Sequence, residues 1–182
     1  MLKQVPNNTN SKRSIHLLID TMLELMSEKH FANITISELT RNAGLARNTF
    51  YAHFNTKEDV LSFHMFEVFR QRIRSASTEM KLEDLDFDLL YFEIWGENLE
   101  LLHLLKENDL LPLLNRFEEH FDLLCKEFQI FENCDVSKEA ESYANAVYAD
   151  ALASIVKRWM KTGMKETPTE LSCIFKEFIR GT

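Results

Sequence analysis

The chain has 182 residues, 45% hydrophobic and 27% charged, with no apolar run long enough to span a bilayer, which excludes a disordered chain and a membrane protein. Its net charge of −8 would disfavour nucleic acid as a partner if it were evenly spread. The charge is unevenly spread. Residues 1–60 carry seven basic and six acidic side chains, whereas residues 61–182 carry fourteen basic and twenty-three acidic ones. This asymmetry predicts two parts with different partners.

The first predicted element is a helix that begins near Ser11 and ends near Lys29. Its apolar residues recur at the spacing of one helical face. They are Ile15, Leu18, Ile19, Met22 and Met26.

Two short helices are predicted next. Thr35, followed three residues later by Glu38, has the capping-box pattern and predicts a helix from Ile36 to Ala43. Gly44 suits the left-handed residue that follows a helix, and a second helix is predicted from Arg47 to His53. Two short helices joined by a tight turn that contains glycine are typical of a helix-turn-helix.

The remainder of the chain is predicted to be helical as well. A helix that starts at Lys57 and runs to about Ser75 is apolar nearly all round, which indicates burial on several sides. The acidic stretch at 76–88 is predicted to be a loop. Further helices are expected at about 88–106, 109–129, 139–161 and 168–180, with Gly163 closing the penultimate one and Thr167-Pro-Thr-Glu170 starting the last.

A specific combination of residues runs through the first third of the chain. It comprises Phe31, Thr35-Ile36-Ser37-Glu38-Leu39, Ala43-Gly44-Leu45 and Thr49-Phe50-Tyr51-Ala52-His53-Phe54-Asn55-Thr56-Lys57. With this pattern, residues 12–65 resemble the DNA-binding domain of the TetR family of bacterial regulators. The segment at 158–170 is similar to one branch of that family, which includes an activator of dihydroxyacetone metabolism. Thr40, Ala46 and Asn48 depart from the family's usual Ala, Ser and Gly.

The resemblance implies an all-α fold with two domains. Residues 1–56 are expected to form a three-helix DNA-binding domain, and residues 57–182 a helical bundle for ligand sensing and dimerisation. The implied partners are double-stranded DNA, a second copy of the chain as a homodimer, and a small apolar effector, without a membrane, metal or cofactor. The polar N-terminus, which has no secretory signal, predicts a cytoplasmic location.

The DNA-binding residues are predicted on the second short helix and around it. Arg47, Asn48 and Thr49 stand where side chains reach base edges in the major groove; arginine suits guanine and asparagine suits adenine. Phosphate contacts, which fix position without reading sequence, are predicted for Thr35, Tyr51, His53 and Lys57. The alternatives are that Thr35 is only a helix cap, that Arg47 is a solvated charge and that Tyr51 packs in the core.

The C-terminal part supplies a predicted ligand pocket and a predicted dimer interface. Aromatic residues at helical positions can line an apolar cavity, although ordinary core packing is the alternative for each. The predicted pocket residues are Phe66, Phe69, Phe92, Trp95, Phe117, Phe121 and Tyr148. The interface is predicted on the last two helices, whose apolar stripe is too large to be left in water. Its predicted residues are Ala151, Ile155, Trp159, Phe175 and Phe178.

No arrangement typical of an enzyme occurs in the sequence. The histidines form no HExxH motif, the three cysteines form no CxxC pair, and there is no glycine-rich phosphate loop. We therefore predict a DNA-binding transcriptional repressor that binds a palindromic operator as a homodimer and responds to a small effector. The alternatives are a helical protein-interaction module, or a regulator that acts through a partner protein instead of a small ligand.

Overall fold

The computed structural model describes residues 9–81, 84–128 and 137–180, without the side chains of residues 117–119, 138, 139 and 180. The described residues form helices joined by turns, and no strand occurs among them. The predicted all-α class is therefore confirmed. None of the described helices is both long enough and apolar enough to cross a membrane.

Four α-helices and one 3-10 helix make up the N-terminal part. They are α1 (Thr9–Glu28), the 3-10 helix Phe31–Asn33, α2 (Ile36–Asn42), α3 (Arg47–His53) and α4 (Lys57–Glu79). The elements that follow are α5 (Phe87–Glu97), α6 (Leu99–Glu107), the 3-10 helix Leu111–Arg116, α7 (Phe117–Phe128), α8 (Lys138–Thr162) and α9 (Pro168–Arg180).

The helix-end signals in the sequence are confirmed. At the start of α9, the Thr167 hydroxyl accepts from the Glu170 amide at 3.3 Å, and the Glu170 carboxylate accepts from the Thr167 amide at 2.7 Å. This is a reciprocal capping box, which pairs amides that a helix start otherwise leaves open. Gly163 ends α8 at φ +90°, a conformation that other residues rarely adopt.

Three boundaries in the middle of the chain differ from the prediction. Helix α4 continues to Glu79, four residues beyond the predicted end. In this last turn the Ser77 hydroxyl donates to the Arg74 carbonyl at 2.8 Å, so polar side chains are accommodated within the helix. The predicted 88–106 helix divides at Asn98, which caps α5 and donates to the Ile94 carbonyl at 2.7 Å. The segment around Pro112 forms a 3-10 helix before α7 begins.

The chain divides into two compact units. The first consists of Met1–Met65 and His103–Leu110, and the second of Phe66–Leu102 and Leu111–Thr182. Helices α4 and α6 therefore each contribute residues to both units. The functional boundary after residue 56 stays a prediction.

Each unit has an aromatic and aliphatic core of its own. In the first, α1 packs against α2 and α3 through buried residues that include Leu18, Met22, Phe50 and Phe54. In the second, α5 packs against α8 and α9, and α7 packs against α8. The second core is rich in rings that are almost completely buried, namely Phe66, Phe69, Tyr91, Phe92, Trp95, Phe121 and Phe175.

Candidate DNA-binding surface

The helix-turn-helix forms from the signals that the sequence provides. The Thr35 hydroxyl caps α2 by accepting from the Glu38 amide at 3.2 Å. Gly44 lies in the turn at φ +67°, where a side chain would strain the backbone. Ala46 precedes α3 and makes no side-chain cap, as expected for a residue without a hydroxyl.

The orientation of α3 is fixed by its buried aromatic side. Phe50 and Phe54 are fully buried, with ring centroids 5.9 Å apart, and Phe54 also lies 6.0 Å from the ring of Phe63 on α4. The opposite side of α3 therefore faces solvent and exposes Arg47, Asn48, Tyr51 and Ala52. The predicted base-reading positions Arg47 and Asn48 are thus open to a ligand, and Thr49 is half-buried beside them.

Arg47 and Tyr51 form a pair one helical turn apart. An Arg47 guanidinium nitrogen donates to the Tyr51 hydroxyl at 3.4 Å, and the guanidinium carbon lies 6.0 Å from the centroid of the ring. Pairs at this spacing lie on one face of a helix. The tyrosine therefore restricts the directions that the arginine can take.

A shallow polar groove runs beside this pair, between α1 and α3. It is lined by Asn10, Ser11, Ser14, Asn48, Thr49, Ala52 and His53. Burial lowers the pKa of His53 below its usual range, so the imidazole is neutral at neutral pH. His53 can therefore meet a phosphate there as a neutral hydrogen-bonding group rather than as a cation.

Lys57 has a structural role that its sequence position does not reveal. Its ammonium donates to the Phe31 carbonyl at 2.6 Å and to the Ile34 carbonyl at 3.0 Å, and it lies 4.2 Å from the Phe31 ring centroid. A third, longer contact of 3.4 Å reaches the exposed Ala32 carbonyl. Desolvation lowers the pKa of Lys57. The phosphate contact of Lys57 stays a prediction. The ammonium N–H group that makes the long contact to Ala32 is the one best placed to reach a phosphate.

Sequence reasoning missed a residue from outside the helix-turn-helix. Asn108, which follows α6, is buried, and its side-chain oxygen accepts from the Phe31 amide at 2.5 Å. A single asparagine after a helix has no distinctive pattern. The only signal available was its place at the end of a predicted apolar helix.

The predicted ligand-pocket residues come together in the second unit, where they pack against one another and against neighbouring rings. Phe69 lies 5.1 Å from Tyr91 and 5.5 Å from Trp95, and Phe121 stacks on Tyr148 at 5.5 Å. Phe66 packs on the buried ring of His120, and Phe92 on Phe175. The side chain of Phe117 lies outside the description.

Two of the predicted interface residues are buried within the second unit. Phe175 is 1% exposed and packs on Tyr148, while Trp159 is 5% exposed and donates through its indole N–H to the Glu166 carbonyl at 3.0 Å. Both pack in the core of their own unit, and their assignment to a dimer interface stays a prediction. Phe178 is 74% exposed, as an interface residue of a free chain would be, and Ala151 and Ile155 are half-buried.

No cluster of three or more potential metal ligands occurs among the residues that the structure describes. The described residues around α3 instead offer polar and cationic groups on a convex helix, which suits contact with a nucleic-acid groove.

Two family models match the chain. Residues 18–62 match the one described as "Bacterial regulatory proteins, tetR family", and residues 89–181, about half of the chain, match a TetR model described as "Transcriptional regulator C-terminal region". The chain belongs to the TetR family of transcriptional regulators. Its helix-turn-helix is therefore a DNA-binding element, as the sequence predicted.

The proteins to which this TetR-family regulator is similar include one curated sequence and one solved structure. An uncharacterized HTH-type transcriptional regulator, YxbF of Bacillus subtilis, is 25% identical over 173 residues, which cover 92% of this chain. The match spans 44% of YxbF, less than half of that protein's length. The solved structure of the fatty acid degradation regulator FadR from Bacillus halodurans aligns with a TM-score of 0.46 and 17% identity, covering 96% of this chain and 93% of that one.

Proposed function

We propose that this regulator is a repressor that binds a palindromic operator as a homodimer and is modulated by a small apolar molecule. The observation that carries the dimer is an unpaired apolar face on α8 and α9. Tyr143 is 78% exposed, Val147 66% and Phe178 74%, and Ile174 and Ile179 are exposed beside them. Solvated apolar residues in such number on neighbouring helices favour burial against a second copy.

The dimer accounts for the palindrome. A two-fold axis relates two copies of α3, and each copy reads one half-site. A monomer has one recognition helix, so it would gain no affinity from a second, inverted half-site. The exposed Arg47 and Asn48 then set the base preference in each half-site.

The effector proposal rests on the ring cluster of the second unit. A mostly apolar molecule that separates these rings would bind by aromatic contacts, and it changes DNA affinity only if it prefers one conformation of the dimer. A partner protein is the second candidate, and it is favoured by the close packing of the same rings. Phe69, Tyr91 and Trp95 lie within contact distance of one another, so a ligand must displace them.

The deciding experiment is selection of bound sequences from random duplex DNA, followed by titration of the selected duplex at several salt concentrations. We expect an inverted repeat and a steep loss of affinity as salt rises. Titrating one isolated half-site provides the control, because a dimer binds it more weakly than the full repeat. A thermal-shift screen of apolar compounds then tests the effector: a true effector raises the melting temperature and changes affinity for the selected duplex.

A further inference from the structure

We propose that Asn108 is a positioning residue for the DNA-reading helices, although it lies far outside the segment that matches the DNA-binding family model. The inference rests on DNA binding by the helix-turn-helix and adds a residue to it. Asn108 is 5% exposed, and its carboxamide oxygen accepts the Phe31 amide proton across 77 residues of sequence. The residues around it, His103–Leu110, pack as part of the first compact unit.

The position of Asn108 is itself fixed by the end of α6. The Leu110 amide donates to the Leu105 carbonyl at 2.7 Å and the Asp109 amide to the Lys106 carbonyl at 3.2 Å, with Asp109 at φ +58°. These two bonds form the Schellman ending of a helix and place Asn108 at its C-cap. The carboxamide nitrogen also donates back to the Leu104 carbonyl at 2.9 Å, which fixes the direction of the oxygen.

The turn that Asn108 contacts is held from two sides. Asn108 accepts from the amide of Phe31, while Lys57 at the start of α4 donates to the carbonyls of Phe31 and Ile34. A further contact of 3.6 Å joins the His30 imidazole to the Asp109 carboxylate. Donor and acceptor groups of the same turn are thus satisfied by side chains from two different parts of the chain.

This turn leads directly into the helix-turn-helix. Ile34 is buried and extended, and Thr35, the next residue, caps α2. A shift of the turn therefore shifts the start of α2, and α3 follows α2 after only four residues. Loss of the Asn108 oxygen leaves a buried amide unpaired, so the turn populates other conformations and the DNA-competent fraction of the protein falls.

The test compares Asn108 with an asparagine that makes the same local bond. Asn98 donates to the Ile94 carbonyl four residues back, as Asn108 does to Leu104, and it belongs to the second unit. Full-length Asn108→Leu and Asn98→Leu are titrated with the selected operator, at a temperature where circular dichroism shows each protein to be folded. We expect Asn108→Leu to lose about fivefold or more in affinity and Asn98→Leu to stay within about twofold of wild type.

Asn108→Asp keeps an oxygen for the Phe31 amide, but it adds a negative charge and turns the group that donates to the Leu104 carbonyl into an acceptor. Asn98→Asp makes the same change opposite the Ile94 carbonyl and is its matched control. We expect Asn108→Asp to bind DNA within about threefold of wild type. The proposal is overturned if folded Asn108→Leu binds like wild type, or if Asn108→Asp falls as far as the leucine variant. If Asn108→Leu does not fold, Asn108→Ala and Asn98→Ala replace the leucine pair, with the same expected losses. Wild-type protein that binds no DNA would instead refute operator binding, a separate outcome.

Discussion

The Arg47 guanidinium and the Tyr51 hydroxyl lie 3.4 Å apart on the exposed side of α3, with the arginine directed over the tyrosine ring. This pair joins a group suited to reading guanine to a group suited to contacting phosphate. An arginine whose direction is restricted before binding loses less conformational entropy when it meets a base. We therefore expect substitutions of Arg47 and of Tyr51 to have different effects on DNA binding.

Arg47→Ala is expected to relax base preference at one position of each half-site, at a cost of about 1–3 kcal/mol for the preferred base. Arg47→Lys is the matched variant, because it keeps the charge and loses the bidentate geometry. We expect it to retain the salt dependence of binding and to lose most of the base preference. Competition titrations with single-base operator variants measure both, and an unchanged preference in Arg47→Lys would show that Arg47 does not read a base.

Tyr51→Phe is expected to weaken binding to all duplexes, because a phosphate contact carries no sequence information. It should weaken binding to the operator further, because it removes the hydroxyl that restricts Arg47 before binding. The phenylalanine keeps the ring that packs edge-on against Phe50 at 5.3 Å, so the fold should be retained. Titrating the variant with the operator and with an unrelated duplex measures the two losses. A loss confined to the operator would show that Tyr51 acts only through Arg47 and makes no phosphate contact.

Lys57→Met is expected to change stability and DNA binding together. It keeps an apolar stem beside Phe31 but removes the ammonium bonds to the Phe31 and Ile34 carbonyls and the longer contact to Ala32, at a cost of about 1–3 kcal/mol in the free energy of unfolding. If the third donor meets a phosphate, the salt slope of DNA binding also falls by about one. Urea unfolding and salt titrations measure the two effects separately. Lower stability with an unchanged salt slope would show that Lys57 stabilises the turn and does not contact a phosphate.

The exposed face of α9 predicts that Phe178→Glu gives a monomer at micromolar concentration, measured by sedimentation. Phe175→Glu should instead prevent stable folding, because it places a charge in a core position that is 1% exposed, a change that costs several kcal/mol. Met80→Glu is the control, since Met80 is an exposed apolar residue that lies on neither α8 nor α9. A Phe178→Glu protein that sediments as wild type does would place the interface elsewhere.

We expect the free energy of unfolding to fall on mild acidification, because two histidines have lowered pKa values in the folded protein. Burial lowers the pKa of His53 and of His64; around His64, Asp20 opposes this shift and His16 adds to it. The folded protein then binds fewer protons than the unfolded chain, in which the histidine pKa is ~6.5. The stabilisation is complete above that pH, and it is lost as the pH falls from there through the lower pKa of the folded state.

We therefore expect the melting temperature to drop between pH 7 and 5, and to drop less in His64→Gln. The lowered pKa values of Glu38 and Glu170 act only at lower pH, because unfolded carboxylates titrate near ~4.3. Equal pH dependence in wild type and His64→Gln would contradict the assignment to His64.

Local signals predicted the helix starts and turns in both units, but they predicted neither the orientation of α9 nor the tertiary contacts. Thr35, Gly44 and Thr167 act through neighbours three or four residues away, so their patterns can be read from the sequence. In α9, by contrast, Leu171 and Phe175 turn to the core while Ile174 and Phe178 face solvent. All four belong to one broad apolar stripe, and helical spacing alone does not separate its two sides. The Asn108 and Lys57 contacts depend on tertiary structure, which no local pattern encodes.

The first compact unit is discontinuous in sequence, since it combines Met1–Met65 with His103–Leu110. A chimera that treats the DNA-reading segment as an independent module would join it to another regulator's C-terminal part at a single crossover. For this chain a crossover at residue 56 or 65 would exclude Asn108 from the transferred segment, and the Phe31 amide would then face a residue of the other protein. A chimera that transplants 103–110 together with the N-terminal segment should inherit operator affinity more faithfully than one that transplants the N-terminal segment alone.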